Sequence, residues 1–79
     1  MAATHKPKSL DILTEDVILL SQVPGEFPDE FRPHLSAVYR WVRKGVHGQK
    51  LVSVRLGAKI VTSRQAVARF IAAINSDEA

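Results

Sequence analysis

The segment from Leu51 to Val61 constrains the fold more than any other. Val52, Val54 and Leu56 alternate with Ser53 and Arg55, the period of two that a half-buried strand requires. Gly57-Ala58-Lys59 supplies a short turn and Ile60-Val61 begins a return strand, so the segment reads as a β-hairpin with a basic tip. On both sides of it the period changes to that of a helix. Before it, Val38, Trp41 and Val42 fall within about 100° of one another on a helical wheel, with Leu35 beside them. Ser36, Tyr39, Arg40, Arg43 and Lys44 occupy the opposite face. Ser36 is a candidate N-cap, and Gly45 stands just past the last periodic residue as a C′ glycine. Arg43 and Lys44 in the last turn suit the macrodipole. After the hairpin, Thr62-Ser63-Arg64-Gln65 fits a capping box, with Thr62 as N-cap and Gln65 at N3. Val67, Phe70, Ile71 and Ile74 follow at i, i+3, i+4 and i+7, the apolar stripe of a helix ending near Asn75.

A chain of 79 residues adds little to that order. It buries only roughly 60% of the surface of its unfolded chain, enough for one domain with a small core. Upstream, Val17–Leu19 is expected to form a short strand, since β-branched residues fit a pleated surface. Ser21 is placed to cap a short helix over 22–27. Pro24 is tolerated there because the first turn has no intrahelical acceptor to lose. Val23 and Phe27, four apart, share its apolar face. Pro28 to Pro33 and Val46 to Lys50 read as loops. Residues 1–9 read as a disordered arm, 10–76 as the folded domain and 77–79 as a frayed end. The expected fold is α+β, a winged helix-turn-helix: short strand, two helices, hairpin wing and C-terminal helix.

Charge is segregated along this order. Residues 31–76 carry nine Lys or Arg and no Asp or Glu, while six of the eight acids precede residue 31. The segments 1–30, 31–76 and 77–79 carry −4, +9 and −2, for a net +3. A concentrated positive field attracts polyanions and speeds their association, and DNA affinity comes largely from phosphate neutralisation. A solvated basic surface that only maintains solubility is the plainer alternative.

Other classes find no support. The absence of cysteine excludes disulfides and thiolate metal sites and fits a reducing cytoplasm. The longest apolar run, Val17-Ile18-Leu19-Leu20, is far short of the ~20 residues that span a bilayer. The polar N-terminus lacks the apolar core of a signal peptide. His5, His34 and His47 match no metal-ligand spacing. Ser36, Ser53 and Ser63 have no partnered His and acid at suggestive spacing. Glu15-Asp16 and Asp29-Glu30 read as solvated turn acids, and no Gly-rich loop cradles phosphate. No enzyme activity, cofactor, metal or membrane association is expected. Trp41, on the apolar stripe, reads as core and not as a stacking platform. Lys6 and Lys8 read as a solvated tail, with a minor-groove arm as the alternative.

Two stretches resemble a known family. Ser36-Ala37-Val38-Tyr39-Arg40-Trp41-Val42-Arg43-Lys44-Gly45 is similar to the recognition helix of small excisionase-like proteins of the MerR superfamily. Val54-Arg55-Leu56-Gly57-Ala58-Lys59-Ile60-Val61-Thr62-Ser63-Arg64 is similar to the wing and the entry to the last helix of those proteins. The resemblance runs over residues 17–75, to a group of small bacterial proteins of unassigned function. It implies a winged helix-turn-helix that binds DNA. It also implies recognition-helix contacts at Ser36, Ala37, Tyr39, Arg40 and Arg43, and wing-side contacts at Arg55, Lys59 and Arg64. The polar helix face adds Lys44. Two features depart from the family. The Ala- and Glu-rich first helix is replaced by the short, Pro/Gly-bearing Gln22–Phe27, and the turn before the next helix is longer.

The expected function is sequence-specific binding of double-stranded DNA, with helix 36–44 in the major groove and wing 51–61 on the backbone. The role would be that of an excisionase-like accessory factor, with a recombinase or integrase as candidate partner, or of a small transcriptional regulator. The protein would act in the cytoplasm, on the nucleoid. It would bind as a monomer or cooperatively on repeated sites, burying roughly 600–1,000 Å² per copy. The alternative is an adaptor that binds no DNA and uses its acidic residues 11–30 to dock a basic partner.

Overall fold

A computed structural model describes residues 8–76, with side chains from residue 11 onward. A three-stranded antiparallel sheet and two α-helices make an α+β fold: β1 (Val17–Leu19), α1 (Leu35–Arg43), β2 (Val54–Leu56), β3 (Lys59–Ser63) and α2 (Arg64–Asn75). Short 3-10 helices at Lys8–Thr14, Leu20–Glu26 and Asp29–Phe31 fill the N-terminal third. Lys8 and Ser9, read above as part of an arm, belong to the first of these. The remainder of that arm, with His5 and Lys6, and the frayed end at 77–79 lie outside the described residues.

The last strand of the hairpin is the centre of the sheet. The strand order is β1-β3-β2, with Val17 opposite Ser63, Ile18 opposite Thr62 and Leu19 opposite Val61. On its other edge β3 pairs Val61 with Val54, Ile60 with Arg55 and Lys59 with Leu56. The hairpin turn is thus only Gly57-Ala58. Gly57 has φ +64° at the first turn position, where a two-residue turn calls for glycine. Lys59 belongs to the return strand and not to the turn.

This pairing revises three local expectations. First, Thr62 is not the cap of α2. β1 holds Thr62 and Ser63 extended, so the helix starts one residue later and Ser63 caps it, accepting from the Ala66 N–H at 2.9 Å. Second, Gln65 closes no capping box. Its side chain accepts from the Asp16 N–H at 3.0 Å and donates to the Asp16 carboxylate at 2.9 Å, fastening the start of β1. Third, the strand expected from Leu51 is shorter. Beyond Val54 the ladder is replaced by the Thr62 hydroxyl, which donates to the Val52 carbonyl at 2.7 Å. The inward set shifts accordingly: Leu51 is buried, whereas Leu56 at the hairpin tip is 48% exposed.

The segment expected to be a helix over 22–27 is a 3-10 helix that begins two residues earlier. Pro24 has no N–H for an i to i−4 ladder and Gly25 follows it, so the tighter winding is what remains. Ser21 is an exposed residue within it, not its cap. The N-cap is Leu19, whose N–H donates to the Gln22 side chain in the first turn at 2.9 Å. The shared face of Val23 and Phe27 is present, with Val23 fully buried and Phe27 packed against the core.

The core runs from Ile12, Ile18, Leu20 and Val23 through Val38, Leu51 and Val61 to Ala66, Val67 and Phe70. Every buried side-chain nitrogen and oxygen among the described residues has a hydrogen-bond partner. No helix among them is long and apolar enough to cross a membrane. No group of three or more His, Asp or Glu among them could hold a metal ion.

Candidate nucleic-acid interface

Three contacts fix the pose of α1. Val38 is fully buried on its inner face. Trp41 is held between Phe27 (ring centroids 6.1 Å apart) and Phe70 (5.1 Å apart), so one indole joins the 3-10 helix to α2. Tilted aromatic contacts at these separations are favourable beyond the area they bury. The Trp41 carbonyl then accepts from the Leu51 N–H at 3.0 Å, drawing the chain back toward the hairpin. His34, with extended backbone and no side-chain cap bond, precedes α1, so the cap expected at Ser36 is absent and Ser36 lies exposed in the first turn. Leu35, expected beside the core stripe, is 39% exposed. At the other end Gly45 has φ +79° as expected. A Cβ there would collide with the Gln49 carbonyl, so the turn demands glycine for space as well as for φ. The chain reverses through His47 and Gly48, both with positive φ, between the paired Val46 and Gln49.

Held in this way, α1 turns its cationic face outward beside the hairpin. A groove of about 670 Å³ separates the two, walled by Ser36, Tyr39, Val42 and Arg43 of α1 and by Ser53, Arg55 and Ile60 across from them. A second depression on α1 is bounded by Ser36, Arg40, Arg43 and Lys44. A third, walled by Tyr39, Ala58, Lys59 and Ile60 with Leu19 and Ser21, continues toward the hairpin tip. Ser36 and Arg43 border the first two, and Tyr39 borders the first and third. Seven of the nine candidate residues (Ser36, Tyr39, Arg40, Arg43, Lys44, Arg55 and Lys59) therefore share one continuous surface. Ala37 is half-buried and offers no polar side-chain group.

Arg64 stands apart. Its guanidinium pairs with Glu26 at 2.7 Å, and the two border a different, mostly apolar groove with Phe27, Val67 and Ile71. The carboxylate raises the Arg64 pKa above its ordinary value, first by hydrogen bonding and then by charge. Sequence reading did not single out Ser53 as a contact, although the alternation of 51–56 already put it on the Arg55 side.

Tertiary pairing decides which cations are free. Among the described residues, the ion pairs are Arg32 with Asp29 at 2.8 Å, Arg64 with Glu26, and Arg69 with Glu15 at 2.8 Å. Glu15 also accepts from the Ser63 hydroxyl at 2.6 Å. Hydrogen bonds from Arg69 and then Ser63 hold its carboxyl below the usual carboxylate range. Neither Glu26 nor Asp29 holds Arg40, since they pair with Arg64 and Arg32. Of the nine Lys and Arg in 31–76, Arg40, Arg43, Lys44, Lys50, Arg55 and Lys59 have no acid partner among the described residues. Lys50 borders a separate depression with Arg69 and Phe70. The other five lie on α1 and the hairpin. Such a surface, cationic and bearing the hydroxyls of Ser36, Tyr39 and Ser53, can accept phosphate oxygens by charge-assisted hydrogen bonds.

No curated protein and no solved structure matches the chain. Residues 22–75 match a family of proteins of unknown function, DUF1580, and this span takes in all but the first two residues of the 3-10 helix Leu20–Glu26, then α1, the hairpin and α2. Since the match covers most of the chain and every wall of the groove except Leu19 and Ser21 at its far end, the protein belongs to the DUF1580 family.

Proposed function

We propose that the protein binds double-stranded DNA sequence-specifically as a winged helix-turn-helix. α1 enters the major groove and the hairpin serves as a wing on the backbone. The observation that carries this reading is the gathering of Arg40, Arg43, Lys44, Arg55 and Lys59 on one surface, with no acid partner among the described residues. Of the six Lys and Arg in 31–76 without an acid partner among the described residues, these five share that surface and Lys50 lies apart from it. Ser36, Ala37 and Arg40, near the N-terminal half of α1, are the candidates for base edges, as in other recognition helices. Arg43, Lys44, Arg55 and Lys59 supply phosphate neutralisation, with Tyr39 at the junction of helix and wing. Arg64 is left out of the contact set because Glu26 occupies its guanidinium.

On this reading the protein is either an excisionase-like accessory factor that positions a recombinase on DNA, or a small transcriptional regulator. Both rest on the same interface. The alternative is an adaptor that docks a basic partner through residues 11–30, where Glu15, Glu26 and Asp29 are ion-paired within the chain and Asp11, Asp16 and Glu30 have no cation partner among the described residues.

Selection from a random duplex library at near-physiological salt tests the proposal. An enriched motif is expected, and Arg40→Glu combined with Arg43→Glu abolishes retention while the circular dichroism spectrum is unchanged. Retention that survives the double reversal, or no retention by the wild type, refutes it.

A further inference from the structure

The groove between α1 and the hairpin has a composition that suits one ligand chemistry. Arg43 and Arg55 wall it, from different elements, and neither has an acid partner among the described residues. The hydroxyl-bearing residues Ser36, Tyr39 and Ser53 line it as well. No carboxylate does. The half-buried Val42 and Ile60 complete the lining with apolar surface. Its volume of about 670 Å³ falls in the range of small-ligand sites, roughly 300–1,000 Å³, which is far more than a lone phosphate fills. Arg55 is held in position by the sheet, directly opposite Ile60 in the register of β2 and β3. Arg43 is in the last turn of a helix anchored by Trp41.

We infer that this groove is a clamp for one nucleotide unit of a DNA strand, with Arg43 and Arg55 holding its phosphodiester from opposite sides and the deoxyribose resting against Val42 and Ile60. The inference rests on the DNA-binding reading and assigns Arg43 a different task from Arg40. Arg43 faces the clamp and positions the backbone. Arg40, which borders only the α1 depression with Ser36 and Lys44, is left to the bases. Phosphate contacts fix register without carrying sequence information, whereas base contacts carry it. The two arginines are therefore separable by experiment.

The test uses the full chain, the duplex enriched by selection and a random-sequence duplex of equal length, with salt titrations for the wild type, Arg40→Gln, and Arg43→Gln combined with Arg55→Gln. Each phosphate contact contributes about 0.9 to the slope of log K against log[salt]. Both clamp arginines neutralise the same phosphate, so losing them together should lower the slope by about 0.9 and weaken both duplexes alike, by roughly fivefold at 0.15 M salt, without changing the enriched motif. Arg40→Gln should instead reduce the preference for the enriched duplex. A loss confined to the enriched duplex in the clamp variant, or an unchanged slope, overturns the inference.

A second readout separates this inference from the wider proposal. The arginine Nε–H resonances are followed while a dithymidine phosphodiester is added to the wild type. Joint displacement of the Arg43 and Arg55 signals, abolished for the remaining arginine when either one is replaced by Gln, supports the clamp even if no duplex is retained, in which case only the duplex-binding proposal fails. Silence of both signals overturns the clamp even if duplex binding is strong.

Discussion

Replacing Ser63 by alanine removes one oxygen that closes two connections at once. The residue is fully buried. Its hydroxyl accepts from the Ala66 N–H at 2.9 Å and donates to Glu15 at 2.6 Å. Loss of a serine N-cap costs about 1 kcal/mol, within a range of roughly 0.5–2. Here the cost should lie toward the upper end, because Ala66 is itself buried and an unsatisfied buried N–H is expensive, about 1–3 kcal/mol. The two figures describe the same lost bond and do not add. We expect a loss of about 2 kcal/mol, which for a domain of this size lowers Tm by roughly 8–16 °C. Thermal unfolding followed by circular dichroism at 222 nm measures it.

The pH dependence of that loss adds a second condition. Glu15 has a depressed pKa in the folded state, so its contribution is present above the unfolded carboxylate pKa and is lost as pH falls through the folded value. The gap between wild type and Ser63→Ala should therefore narrow below about pH 4.5 as Glu15 protonates, the helix-cap part persisting. A loss under about 0.5 kcal/mol at neutral pH would refute the reasoning, because it would leave Ser63 as an ordinary first-turn residue, as a cap at Thr62 would have it. A gap that widens on acidification would refute the role given to Glu15.

Three further outcomes follow from the same geometry. Gly45 and Gly48 share φ +79°, but a Cβ at Gly45 meets the Gln49 carbonyl while one at Gly48 meets open space. Gly48→Ala should cost roughly 1–2 kcal/mol for the backbone conformation alone, and Gly45→Ala about 1–3 kcal/mol more. Urea midpoints compare them, and equal costs would refute the collision. Trp41 is half-buried, so Trp41→Ala should destabilise by about 2–3 kcal/mol, below the cost at a fully buried aromatic, and a loss under about 1 would mean that the indole does not hold α1 in place. Finally, Arg43→Gln combined with Arg55→Gln should weaken duplex binding about fivefold at 0.15 M salt while Arg64→Gln changes it less than twofold. Equal losses by fluorescence anisotropy would bring Arg64 back to the interface.

Several elements are legible in the chain because neighbouring residues determine them. The presence of α1 though not its start, the glycine that ends it, the strand at Val17–Leu19, the position of the hairpin and the amphipathic stripe of α2 all follow from periodicity and from φ at single positions. The same holds for the polar face of α1, since residues three and four apart on a helix must share a side. Ser36, Arg40, Arg43 and Lys44 could be grouped before any contact was known.

What the sequence could not settle involves partners far along the chain. Thr62 and Ser63 satisfy the same local capping rules, and the choice between them falls to β1, some 45 residues earlier, which keeps both extended. Gln65 forgoes its local box for Asp16, 49 residues away. The same applies to charge. An acid-free run of nine cations makes all of them look equally available, yet Arg64 meets Glu26 across 38 residues and Arg69 meets Glu15 across 54. Local periodicity thus determined which side chains share a face of one element. Only the packing of the sheet and helices decided which acids reach which cations, and so which positive charges α1 and the hairpin keep free, because Coulomb attraction at a few ångströms depends on position in space and not on order in the chain.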